Sequence, residues 1–160
     1  MSRILIAYYS HSGNTKEIAE CIQKEVGGEL WEILPVNPYP LDYNAVVAQA
    51  KQEIQAGFAP QLKQKQPDFT AYDTIFIGSP NWWSTVAPPI VTFLQQGATA
   101  GKTILPFITH GGGGMARCAK EVARLCPQAK VLPGFETYGD GGAEAQAKVH
   151  AWLKKQNMVK

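Results

Sequence analysis

A chain of 160 residues with 45% hydrophobic and 18% charged residues has the length and composition of one soluble globular domain, here 1–160, with a sizeable core. Fifteen Lys and Arg against thirteen Asp and Glu leave +2 with no basic cluster, which excludes a nucleic-acid footprint. No window reaches the apolar length of a membrane span, and a strand entered by residue 4 leaves no room for a signal peptide, so a cytoplasmic monomer is expected.

In chain order, Ile4–Tyr8 reads as a buried strand. Ile18, Cys21, Ile22 and Val26 mark a helix face that ends near Gly27-Gly28. Leu30–Leu34 is a short strand, the proline-containing segment Pro35–Tyr43 a loop, and Asn44–Ala56 a helix. Residues 57–70 read as a surface connection, and Thr74–Gly78 as a central strand. A loop at 79–88 leads into a helix over Pro89–Gln96, with Pro near its first turn. Thr103–Thr109 is a strand, Met115–Leu125 a helix, Val131–Phe135 a strand and Ala143–Lys155 the last helix.

Five β–α units with apolar strands predict an α/β fold, a parallel sheet with helices on both faces. Right-handed crossovers favour the strand order 2-1-3-4-5. Ligands in such sheets bind beyond the carboxyl ends of the strands, where the winding reverses. That brings loops 9–15, 79–88 and 109–114 to one edge. The cysteines, Cys21, Cys118 and Cys126, have neither disulfide nor zinc spacing and read as buried small hydrophobes.

The first loop offers Ser10, Ser12, Asn14 and Thr15 side chains and the amides around Gly13 at a helix start, a turn suited to a phosphate dianion held by neutral donors. Plain helix capping explains one such residue, not four with a glycine. The second, Ser79-Pro80-Asn81-Trp82-Trp83, suggests a wall for a flat aromatic ligand, with Pro80 stiffening the turn. The alternative is a small satellite core under the loop. The third, Thr109-His110-Gly111-Gly112-Gly113-Gly114, is either a flexible connector or a backbone that must approach a ligand closely.

Several similar patterns fail. Gly97–Thr103 has a Walker-like appearance but one residue too few between its glycines, and it precedes a strand. No Gly-x-Ser-x-Gly elbow, no Gly-x-Gly-x-x-Gly first turn and no metal-ligand spacing of His11, His110 and His150 occurs. No acid–base or nucleophile pair emerges, so no catalytic residue is assigned.

The Ser-x-Ser-Gly-Asn-Thr turn, the aromatic segment after the third strand and the glycine loop after the fourth resemble the flavodoxin family over almost the whole chain, within it the branch with a Pro-x-Trp-Trp segment. The resemblance implies a flavodoxin-like three-layer sandwich and FMN as cofactor. By position, Ser10, Ser12, Gly13, Asn14 and Thr15 would bind the FMN 5′-phosphate. Pro80, Asn81, Trp82 and Trp83 would form one side of the isoalloxazine pocket, and Thr109, His110, Gly111, Gly112 and Gly113 the other side and the pyrimidine edge. A phosphate with no basic neighbour and aromatic walls that exclude water would both favour a low potential. The family's electron carriers are usually acidic, whereas this chain is slightly basic. The leading expectation is a carrier moving electrons between redox partner proteins. The rivals are an FMN-dependent NAD(P)H:quinone or nitro reductase and an interaction domain without flavin.

Overall fold

The computed structural model describes residues 3–160. A twisted sheet runs in the order β2 (Glu29–Glu32), β1 (Ile4–Tyr8), β3 (Thr74–Trp82), β5 (Thr103–His110) and β6 (Lys130–Val131). A short arm, β4 (Thr85–Val86), pairs with β3, and β7 (Phe135–Tyr138) pairs with β5. Helices α1 (Asn14–Val26) and α5 (Ala145–Lys155) cover one face. Helices α2 (Tyr43–Ala56), α3 (Pro88–Gln96) and α4 (Cys118–Leu125) cover the other. The α/β class and the reversal of winding between β1 and β3 are as the sequence predicts.

Each element has a local cause. Helix α1 buries Ile18, Ala19, Cys21 and Ile22 at spacings of three and four, and Gly27 at φ 70° stops it. The Asp42 carboxylate caps α2 by accepting the Ala45 N–H at 2.9 Å. Pro88 and Pro89 open α3, where a missing N–H costs nothing. All three cysteines are buried and free, as expected for small core residues. Among the described residues no helix is long and apolar enough to cross a membrane, and no group of three His, Cys, Asp or Glu side chains could hold a metal ion.

Three expectations are corrected. First, the sheet is not five unbroken parallel strands, because β4 runs antiparallel to β3. Residues 79–82 are therefore strand, not loop, and Pro80, Asn81 and Trp82 sit on a rigid element. Pro80 is tolerated there because it has the same pleat parity as Gly78, whose carbonyl accepts from Tyr9; its missing N–H faces the side where β1 has ended. Second, the last strand is split. Ile104 pairs with Val131 but Phe107 with Phe135, so one extra residue is accommodated between β6 and β7. The split lies opposite Pro106, which has no N–H to offer the outer strand, and a Cβ on Gly134 would meet the Pro106 carbonyl at 2.8 Å. Third, α4 begins at Cys118, not Met115, because Ala116 adopts φ 45°.

Two measurements test this packing. A Cβ on Gly78 would lie 2.2 Å from the Phe107 ring. Gly78→Ala should therefore cost about 1–3 kcal/mol, read from the urea midpoint. On the same face, hydrogen bonds from His150 and Gln146 hold the Glu25 carboxyl below its ordinary 4.5 and tie α1 to α5. A lowered folded-state value gives stability that is present above the unfolded value and drains as pH falls through the folded one. Glu25→Gln should accordingly flatten the loss of stability between about pH 5 and about pH 3.

Candidate functional site

A cleft of about 730 Å³ opens beyond the carboxyl ends of β1, β3, β5 and β7. Parallel register makes this possible: Pro80 stands beside Thr109, and His110 beside Tyr138. Of the residues singled out in the sequence, Ser12, Asn14, Thr15, Pro80, Asn81, Trp82, Trp83, Thr109, His110 and Gly111 line it. Ser10, Gly13, Gly112 and Gly113 do not, and each instead shapes a lining loop.

At the first turn, Ser10 Oγ accepts the N–H groups of Gly13 (3.1 Å) and Lys16 (3.2 Å), folding residues 10–16 around itself. Gly13, at φ 96°, allows the chain to enter α1 at once. Among the described residues the amides of Asn14 and Thr15 have no protein partner, so two helix N-terminal donors remain beside the Ser12 hydroxyl. The N-cap residue, Gly13, has no side chain to cap α1. Thr15 is buried, and its hydroxyl lies 2.7 Å from that of Thr109, locking the start of α1 to the end of β5.

The aromatic side is a hairpin with a two-residue turn. Trp82 pairs with Thr85, and the turn residues Trp83 and Ser84 have φ 55° and 70°, a left-handed pair that glycine would fill without strain. Contacts on both flanks hold it there. The Trp83 indole N–H donates to the Val47 carbonyl (2.9 Å), the Lys51 ammonium lies 5.3 Å from its ring centroid, and the Ser84 carbonyl accepts the Arg117 N–H at 2.9 Å. The buried Ser79 hydroxyl accepts the Ala87 N–H and closes the base.

Trp82 lies inward, edge-on to Tyr39 (5.0 Å), Tyr9 (5.6 Å) and His11 (5.8 Å). Trp82 thus lines the cleft and also packs into a small aromatic cluster. Beneath it the Tyr39 hydroxyl and the Gln49 amide donate to the two oxygens of Glu53. Burial, reinforced by Glu53, pushes the Tyr9 and Tyr39 phenols far above their usual range, so both stay protonated.

The glycine loop is ordered by its neighbours. Asn81 donates to the Gly114 carbonyl at 2.9 Å, and a Cβ on Gly113 would come within 3.1 Å of that amide nitrogen. His110 Nδ1 accepts the Gly112 N–H at 3.0 Å, which leaves the proton on Nε2, where Glu136 accepts it. The pairing of β7 with β5 sets the pleat that puts Glu136 and Tyr138 on the exposed side. His11 donates to the Pro40 carbonyl at 2.8 Å.

Sequence reasoning missed a whole wall. Leu41, Tyr43, Val46, Val47 and Ala50 line the cleft from α2 and its approach, and Tyr138 and Gly139 close the far rim. Leu41, Tyr43 and Tyr138 are 90%, 76% and 71% exposed, apolar surface that a partner group would cover. The available signal was Leu41 and Tyr43 standing unpaired beside the prolines of a loop.

The flavodoxin family model matches residues 3–156. The chain belongs to the flavodoxin family. This flavodoxin-family chain is 32% identical to a candidate flavoprotein of Bacteroides eggerthii, with 97% of this chain and 98% of that one covered and a TM-score of 0.84. It is 26% identical to a Lactobacillus acidophilus flavoprotein solved in complex with FMN, covering 95% and 99% with a TM-score of 0.76. Flavodoxin 2 of Bacillus cereus, at 20% identity, 96% coverage of both chains and a TM-score of 0.61, shares the fold. No curated protein matches the chain.

Asn81 should therefore act as a clasp. Asn81→Ala removes the bond to Gly114 and should speed hydrogen exchange at the amides of 111–114 by about tenfold, the equivalent of one lost hydrogen bond. Amides in α5 should be unaffected.

Proposed function

We propose that the chain binds FMN in this cleft and carries electrons between protein partners, with no substrate of its own. The observation that carries the reading is a neutral anion turn at one end of an aromatic-walled cleft. The unpartnered Asn14 and Thr15 amides and the Ser12 hydroxyl fit the phosphate, and among the described residues no Lys or Arg lines the cleft to neutralise it. Trp82, Trp83 and the apolar side of α2 fit one edge of a flat tricyclic ring. The backbone at His110 and Gly111 fits its polar edge. The FMN complex of the Lactobacillus acidophilus relative supports the same cofactor.

Bound FMN would supply reversible electron uptake. The chain's own residues would hold the phosphate, exclude water from the ring with Trp82 and α2, and set the field around it. The carrier reading is supported by the imidazoles in the cleft, both of which are engaged. His11 gives its proton to Pro40, and His110 is held between Gly112 and Glu136.

The purified protein should absorb as a flavoprotein and release FMN on denaturation. Ser12→Ala should weaken FMN about tenfold, the scale of one hydrogen bond to a charged group, while changing riboflavin binding less than twofold. Equal losses for the two ligands would refute the phosphate assignment. Catalytic NAD(P)H oxidation with a quinone, in the absence of a partner reductase, would refute the carrier reading.

A further inference from the structure

A second groove, of about 420 Å³, lies on the other side of the β3–β4 hairpin. One wall is apolar, made by Ile54 and Phe58 with Val86 and Val91; Phe58 is half exposed. The opposite wall carries Arg117, Lys120 and Arg124 from the start and outer side of α4.

The charges here are lopsided. Both carboxylates of the groove are already engaged. Glu53 accepts from Tyr39 and Gln49, and Glu121 pairs with Arg124. Among the described residues, Arg117 and Lys120 have no carboxylate partner, nor has Lys51, which lies over Trp83 just across the hairpin. Four cations against two acids leave two positive charges on this face, equal to the formal excess of the whole chain. The free cations are spread along α4 and across the hairpin instead of converging on one point. Such a pattern suits carboxylates distributed over a protein surface better than a single small anion.

We infer that this groove and the adjoining Trp83 rim are the docking face for an acidic protein partner, which sets carboxylates against Arg117, Lys120 and Lys51 and an apolar side chain against Phe58 and Val91. The inference rests on the carrier reading above and names the chemistry of that partner. The hairpin is the shared wall of the two cavities: Trp82 and Trp83 line the cleft, while Thr85 and Val86 line the groove. A protein seated in the groove therefore lies across the aromatic edge of the cleft. Ser84 and Arg117 are joined through their backbones, so the cationic wall and the hairpin are held as one body.

The test uses one protein probe with two charge states. Isotope-labelled chain is titrated with succinylated cytochrome c, whose surface lysines have become carboxylates, and separately with native, basic cytochrome c. The acidic form alone should shift the amides of Phe58, Thr85 and Lys120 and the Trp83 indole N–H, and about 0.3 M salt should abolish the shifts, since screening then acts within a few ångströms. Arg117→Glu/Lys120→Glu should weaken that binding by about tenfold or more. The milder Arg117→Gln/Lys120→Gln serves if charge reversal harms folding. Neither residue lines the cleft, so FMN affinity should stay within twofold. Equal or tighter binding of the native form, no shift with the acidic form, shifts confined to α1 and α5, or unchanged binding by both variants would each overturn the inference. FMN binding is measured in parallel: a chain that takes up no FMN refutes the cofactor reading, while the titration still decides the docking face.

Discussion

The parallel register of β1, β3 and β5 is the constraint from which the cleft follows. Side-by-side pairing aligns Tyr8, Gly78 and Phe107, so β1 ends there while β3 and β5 run on past it. The reversal of winding between β1 and β3 leaves the space beyond the end of β1 uncovered. One buried contact then fixes the strand exits relative to each other. The Thr15–Thr109 hydroxyl pair joins the first turn of α1 to the last residues of β5, so these two walls of the cleft cannot drift apart independently.

Electrostatics divides the molecule at the hairpin. Below Trp82 the phenols of Tyr9 and Tyr39 remain neutral, and Glu53 is the one carboxylate among the groups they touch. The cleft itself presents amides, hydroxyls and rings. Across the hairpin, Arg117 and Lys120 stand without a carboxylate partner among the described residues. Among the described residues, the same two strands therefore separate a cleft with no lining Lys or Arg from a groove lined by Arg117, Lys120 and Arg124.

Much of the scaffold was legible from residue order. Apolar runs at Ile4–Tyr8, Thr74–Gly78 and Thr103–Thr109 gave the central strands, and the Ser-x-Ser-Gly-Asn-Thr turn pointed to one end of the cleft. What escaped depends on contacts distant in sequence. Nothing local tells that Trp83 and Ser84 accept left-handed backbone, because the compensation comes from Val47, Lys51 and Arg117. Ser10 reads as a ligand contact by position, and nothing local shows that its oxygen also accepts the Gly13 and Lys16 N–H groups. The α2 wall was hidden for a further reason: the helical spacing of Asn44–Ala56 does not say what its apolar residues face, and only the path of the chain brings Leu41, Tyr43, Val46 and Ala50 to the cleft.

The split last strand has a consequence for how the chain can change length. The extra residue opposite Pro106 falls between β6 and β7, and beyond it Phe135 and Thr137 lie inward while Glu136 and Tyr138 are left for the cleft rim. Residues 132–134 lie outside both strands, so β6 and β7 take their registers against β5 separately, and the irregular link absorbs an odd count without turning Phe135 or Glu136 over. Tolerance to a change of length therefore resides in this link, while the pleat of β7 stays fixed by its own pairing with Phe107 through His110.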